Sequence, residues 1–176
     1  RGLIVARKSA EIRDLTDLKG RRFAWVDATS TSGYLYPRAL LADKGVQPEQ
    51  FGQQIFAGGH DKVVLALLNN QVDAGAIYED ARTIKAITDL YPKVLEDTVI
   101  VGTTGEIPND GVAFRKDLPA DMTKKIKEAL LKLASTEDGK KVFTKALGTT
   151  GVTLTNDEAY TPVRRAAQVL KLNLEA

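Results

Sequence analysis

Asp27-Ala28-Thr29-Ser30-Thr31-Ser32-Gly33-Tyr34 is the stretch that decides how this chain is read. A short apolar run, Phe23-Ala24-Trp25-Val26, precedes it, and Leu40 and Leu41 begin a helical spacing after it. It is therefore a strand-to-helix turn. Pro37 is comfortable only in the first turn of a helix, which places the helix start near residues 32–34. Four small hydroxyl residues and a glycine crowd this turn. The first N–H groups of a helix have no partner inside it, and the helix dipole adds partial positive charge at the same end. Hydroxyls around such amides make a neutral cradle for a tetrahedral oxyanion, with no lysine required. Two readings are open, because Ser and Thr are also the preferred N-caps of any helix and capping accounts for one of the four. The amides of Thr31, Ser32 and Gly33 are the expected free donors.

Working outward, the same unit recurs. Residues 53–57 read as a strand, Gly58-Gly59-His60-Asp61 as the turn, and Val63, Val64, Leu67 and Leu68 as the apolar face of the helix that follows. Residues 73–78 read as a third strand running into Glu79-Asp80 and a helix over 81–90, and 94–101 as a further strand. Upstream, Leu3-Ile4-Val5-Ala6 reads as a buried strand, and Gly20 as a stop before the strand over 21–26. Successive strand, turn, helix units predict an α/β fold with a mostly parallel sheet flanked by helices. In such sheets ligands bind beyond the carboxyl ends of the strands. The turns leaving those ends carry residues 29–33, 58–61 and 79–80, so the unusual polar chemistry is expected on one edge.

Residues 103–111 form the strongest breaker cluster, a crossover or hinge, and Val112-Ala113-Phe114 reads as a short strand after it. Met122, Ile126, Ala129, Leu130 and Leu133 keep one helix face behind Pro119. Thr136 and Asp138 start another helix, which Gly148 stops, and a last one runs from about Thr161-Pro162 through Leu170. These C-terminal helices read as packing.

Composition narrows the function classes. The 176 residues are 43% hydrophobic and 27% charged with a formal net charge of +2, ordinary for a globular protein, and the lysines are spread out, so no nucleic-acid footprint is present. The absence of cysteine removes disulfides and thiolate metal sites. No apolar run approaches the roughly 18 residues that cross a bilayer. The chain opens on Arg1 and has no signal peptide, so it is expected to be a processed or trimmed product. An enzyme acting on a phosphate ester is poorly supported. There is no G-x-x-x-x-G-K-[ST] loop, no cysteine nucleophile, no acidic cluster spaced for Mg²⁺ and no G-x-S-x-G elbow. His60 is the only histidine, so it builds no multi-histidine metal site, and no cofactor is expected. Even as a neutral ring it offers one N–H to an oxyanion, and Gly58-Gly59 let backbone approach a ligand closely. Its competing role is to cap the helix beginning near Asp61. Asp61 and Asp80 read as helix caps, and Tyr34 and Tyr36 as either pocket walls or packing against the adjacent strand.

D-L-K-G at 17–20, T-S-T-S-G-Y-L-Y-P-R at 29–38, F-A-G-G-H-D at 56–61, V-D-A-G-A at 72–76 and I-P-N-D at 107–110 together resemble one family. It is the phosphonate and phosphate-type substrate-binding proteins of ABC transporters, within the two-lobed type II periplasmic binding proteins. The resemblance implies a lobe that closes over a phosphorus oxyanion (phosphonate, phosphite or phosphate), with no chemistry on the ligand. It implies that Ser30, Thr31, Ser32 and Gly33 and the imidazole of His60 hold the anion, and that the carboxylates at Glu79 and Asp110 line the rest of the pocket. It further implies ABC permease subunits as partners, a periplasmic or extracytoplasmic location, and a first lobe whose opening part precedes Arg1. On this reading residues 1–8 are a hinge strand or remnant of the first lobe, 9–110 the ligand-binding α/β lobe, and 111–176 a return segment with C-terminal helices. The alternative is an extracytoplasmic sensing domain of a receptor or sensor kinase that uses the same fold.

Overall fold

The computed structural model describes residues 1–172. In chain order it contains β1 (Gly2–Arg7), β2 (Arg22–Trp25), α1 (Tyr36–Asp43), β3 (Gln53–Phe56), α2 (His60–Leu68), β4 (Ala74–Tyr78), the one-turn helices α3 (Lys85–Thr88) and α4 (Val94–Asp97), β5 (Thr98–Thr103), α5 (Ala120–Ala134), α6 (Glu137–Leu147) and α7 (Thr161–Val169). Two compact units result: residues 1–107 with 160–172, and residues 108–159.

The first unit is built on a five-stranded sheet in the order β3-β2-β4-β1-β5. β2 is parallel to both β3 and β4, as the repeated strand, turn, helix units predict. β1 is antiparallel to β4 and to β5, so the sheet is mixed: four strands share one direction and β1 runs against them. Alternate residues feed opposite faces, because side chains in a strand alternate. Leu3, Val5, Ala24, Val26 and Ile77 pack with Val63, Val64 and Leu67 of α2 on one face. Ile4, Ala6, Phe23, Trp25, Ala74 and Ala76 pack with Leu41 of α1 and with Leu15, Leu18 and Phe51 on the other. Burying each of the large side chains contributes roughly 1.5–3 kcal/mol. At Gly75 α2 lies close on the sheet, since a Cβ there would sit 2.5 Å from Val63 Cγ1. α7 also belongs to this unit, with Ala166 and Ala167 buried and Arg165 Nη2 3.3 Å from Asp43 Oδ2 on α1.

Three expected elements differ. The helix expected over 81–90 is divided into a 3-10 turn, Ala81–Thr83, and α3, because Asp80 caps the short turn and Ile84 is extended at ψ 133°. The strand expected over 94–101 starts four residues later, since α4 occupies 94–97 and Thr98 Oγ1 donates to Val94 O to close that turn. Val112-Ala113-Phe114 forms no strand; residues 111–115 carry no regular structure, for lack of a ladder to join.

In the second unit α5 and α6 pack together, and Gly139 admits the close approach of Leu133 O. Thr136 caps α6 by accepting the Gly139 N–H at 3.0 Å, and Gly148, at φ +66°, ends it.

Candidate functional site

Because β2, β3 and β4 run parallel, their carboxyl ends open on one edge of the sheet. The antiparallel β1 begins at that same edge. Ala57 N–H donates to Trp25 O and Gly58 N–H to Val26 O, each at 2.8 Å, which carries the β2–β3 pairing past the end of β3. The turn Gly58-Gly59-His60 is thereby held beside Asp27. Gly58 has φ +78°, a conformation that a side chain would strain.

Within the hydroxyl loop the four side chains divide into two pairs. Asp27 Oδ1 accepts from Thr29 N–H at 2.8 Å and from Thr29 Oγ1 at 2.6 Å, an Asx turn that fixes the first bend. The Thr29 bonds hold the Asp27 carboxyl below the usual carboxylate range. Ser30 Oγ accepts the Gly33 N–H at 3.0 Å and is the N-cap. The expectation of a free Gly33 amide is therefore corrected: that donor is spent on the cap. The Ser30 hydroxyl, its acceptor side engaged, retains its own hydrogen to donate.

Residues 31–35 form a wide π-type turn, with Leu35 N–H bonded to Ser30 O and Tyr36 N–H to Thr31 O, before α1 continues. The amides and hydroxyls of Thr31 and Ser32 make no hydrogen bond among the described residues. Two glycines allow this packing. A Cβ on Gly33 would sit 2.7 Å from Val26 Cβ, and one on Gly2 would sit 2.5 Å from Ser32 O, so β1 approaches the loop only because Gly2 has no side chain. Gly2 is pinned in turn by Thr104, whose Oγ1 accepts the Gly2 N–H at 2.8 Å.

His60 opens α2 behind Gly59, which is the N-cap and makes no side-chain bond. Asp61 consequently lies inside the first turn and is not the cap expected for it, although its charge still complements the helix dipole. His60 Nδ1 accepts the main-chain N–H of Tyr78 at 2.9 Å, and the two rings meet edge to face with centroids 4.7 Å apart. Since β2 lies between β3 and β4, this bond reaches over the end of β2, from which the hydroxyl loop departs. Burial moves the imidazole pKa down, against the opposing pull of Asp27 and Asp61.

Glu79 follows Tyr78 on the same edge, exposed, with its N–H donating to Arg1 O at 3.2 Å. Asp80 caps the next turn as expected. Its carboxylate receives Arg82 N, Nε and Nη2 at 3.1, 3.0 and 2.8 Å, and buried Arg82 also donates to Thr98 Oγ1 at 3.2 Å. Tyr34 packs edge-on against Trp25 at 5.2 Å and receives a bond from Arg38 Nη1 at 2.8 Å, while Tyr36 is buried. Ser30, Thr31, Ser32, Gly33, His60 and Glu79 thus share one edge of the first unit. Asp110 belongs to the second unit, exposed and outside any helix or strand. Sequence reasoning missed Asp27, whose spacing to Thr29 is a legible Asx-turn signal, and Tyr78, whose partnership with His60 has no local signal. Among the described residues no group of three or more His, Asp or Glu is placed to hold a metal, and no helix is long and apolar enough to cross a membrane.

A family model described as the periplasmic substrate-binding protein of phosphonate ABC transporters matches residues 1–160. The phosphonates-binding periplasmic protein of Escherichia coli is 26% identical over 170 residues, covering 94% of this chain and 49% of that protein. The phosphate-import protein PhnD of Mycolicibacterium smegmatis is 40% identical over 75 residues, covering 39% of this chain and 23% of that protein. The solved structure of PhnD1 from Prochlorococcus marinus in complex with methylphosphonate superposes with a TM-score of 0.69 at 21% identity, covering 97% of this chain and 66% of that one. That last likeness is one of fold, in keeping with an α/β lobe of the type II periplasmic binding proteins. The chain spans about half the length of the E. coli relative.

Proposed function

The chain belongs to the phosphonate family of ABC-transporter periplasmic substrate-binding proteins, and we propose that it supplies the oxyanion-binding lobe of an importer's solute-binding component. The ligand is a phosphorus oxyanion: a phosphonate, with phosphite and phosphate as the alternatives. The observation that carries this reading is the pair of unspent hydroxyl and amide groups at Thr31 and Ser32, on the same sheet edge as His60. In this proposal those donors, the Ser30 hydroxyl and the imidazole N–H converge on the anion's oxygens at two helix N-termini. Each hydrogen bond to a charged oxygen is worth about 1.5–3 kcal/mol, so a few suffice for a micromolar ligand.

Gly33 contributes by letting the loop lie flat on Val26, not by donating. Glu79 stands where it would meet an ammonium on the ligand's substituent, while Asp110 enters the proposal on the family resemblance alone. No bond of the ligand is made or broken. Binding and release accompany closure of the whole protein's lobes and delivery to the membrane permease, outside the cytoplasm. The relatives named above are by name a periplasmic binding protein and an import protein, which favours transport over a sensing domain.

Calorimetry of the protein with methylphosphonate, 2-aminoethylphosphonate, phosphite, phosphate and sulfate tests the reading. Saturable binding of at least one phosphorus oxyanion is expected, with Glu79→Gln weakening only the aminoalkyl ligand. Binding of none of them, by folded protein, overturns it.

A further inference from the structure

We propose that Tyr78 is the positioning residue for His60: its main-chain N–H occupies imidazole Nδ1, so the ring meets a phosphorus oxyanion as a neutral Nε2–H donor and not as a cation. The inference rests on reading His60 as a ligand group and adds what form the ring takes and which residue imposes it.

The geometry starts from a single bond. Tyr78 is the last residue of β4, and its N–H points at His60 Nδ1 across 2.9 Å. A ring nitrogen that accepts an N–H bond has its lone pair there and carries no proton, so the proton of the neutral ring sits on Nε2. A ring flip would bring Cδ2–H against the same N–H and lose the bond. The Tyr78 ring adds a second restraint, standing at 67° to the imidazole with centroids 4.7 Å apart. Together amide and ring fix both the tautomer and the plane, leaving Nε2–H as the one donor available to a ligand.

The charges around the ring come from several elements and do not all agree. Asp27, from the turn after β2, and Asp61, on α2 itself, favour an imidazolium, whereas burial disfavours it and prevails. The dipole of α2 also disfavours a cation at its first residue. The ammonium of Lys62 lies 3.8 Å from where a Cβ on Gly58 would be, over the same glycine turn. Glu79 beside Tyr78 is exposed and screened by solvent. Protonating Nδ1 would oppose two N–H groups, so the charged ring forfeits the Tyr78 bond that positions it. Among the groups proposed to touch the anion, every donor is then uncharged, and recognition depends on aimed hydrogen bonds.

The chain has one histidine, so ¹⁵N-histidine labelling reports His60 alone. Long-range ¹H–¹⁵N spectra of the free protein at pH 7.5 are expected to show a pyridine-like Nδ1 and a pyrrole-like Nε2. Tyr78→Phe and Tyr78→Ala, which keep the main-chain N–H, retain that pattern. Methylphosphonate is expected to shift the Nε2–H resonance and leave Nδ1 unprotonated. An Nδ1–H tautomer or an averaged pair in the free protein overturns the inference while leaving the proposed function standing. So does a ring that becomes doubly protonated on binding. If no phosphorus oxyanion binds at all, the proposed function fails, and with it His60's role as an anion donor, whatever tautomer the free ring adopts.

Discussion

Replacing Thr31 and Ser32 together by alanine separates ligand binding from folding at this loop. Neither hydroxyl makes a hydrogen bond within the described residues, so their loss breaks no internal hydrogen bond, and unfolding stability should stay within about 0.5 kcal/mol of the parent. If each hydroxyl donates to a charged oxygen, its removal costs about 1.5–3 kcal/mol, or roughly 10- to 150-fold in affinity. The two act on one ligand and are not additive, and the amides remain, so the double variant should bind about 100- to 1,000-fold more weakly. Ser30→Ala makes the contrast. Its Oγ accepts the Gly33 N–H at 3.0 Å, and losing that cap should cost about 1 kcal/mol, or roughly 2–4 °C in Tm for a protein of this size. Calorimetry with the best ligand of the panel, beside thermal unfolding of each variant, measures both quantities. A Thr31→Ala/Ser32→Ala protein that is folded and binds with parental affinity refutes the cradle.

Two further outcomes follow from packing. Asp73 stands at the amino end of β4, on the opposite edge from the hydroxyl loop. It receives Arg7 Nη2 at 2.6 Å and Arg22 N, Nε and Nη2 at 3.0, 3.1 and 2.8 Å, which hold its carboxyl well below the usual range. A depressed folded pKa stabilises above the unfolded value near 3.9 and is lost as pH falls through the folded one. Asp73→Asn should therefore lower urea stability by about 2–3 kcal/mol at pH 7, with a gap that narrows towards pH 3, and leave ligand affinity intact; an unchanged urea midpoint at pH 7 contradicts this. Gly33→Ala would set a Cβ 2.7 Å from Val26 Cβ and closer still to Val26 Cγ2. Overpacking of that kind costs about 1–3 kcal/mol, so a fall of several degrees in Tm with weaker ligand binding is expected, and an unaltered melting curve would show the loop does not lie on Val26.

Local sequence determined the elements whose physics is local. Apolar spacing around Val63–Leu67 and the α5 stripe fixes helices, Thr136 and Gly148 bracket α6, and the hydroxyl-bearing, glycine-bearing and acidic turns follow strands of one direction. That common direction alone puts residues 29–33, 58–61 and 79–80 on one edge. Tertiary structure decided the rest. Leu3–Ala6 is apolar on both faces and suits any central strand, so only pairing with β4 and β5, residues far along the chain, makes it antiparallel. Val112–Phe114 has strand composition but no ladder to join, and residues 81–90 have helical spacing that the Asp80–Arg82 pair interrupts. Within the site, composition could not say which hydroxyls were spent. Thr29 turns to Asp27, Ser30 turns to Gly33, and the Thr31 and Ser32 hydroxyls are left without a hydrogen bond among the described residues. Nor could it foresee that Tyr78, eighteen positions on from His60, would take its Nδ1. Those assignments depend on directions of single N–H and O–H bonds, which are set only when the strand ends are brought side by side.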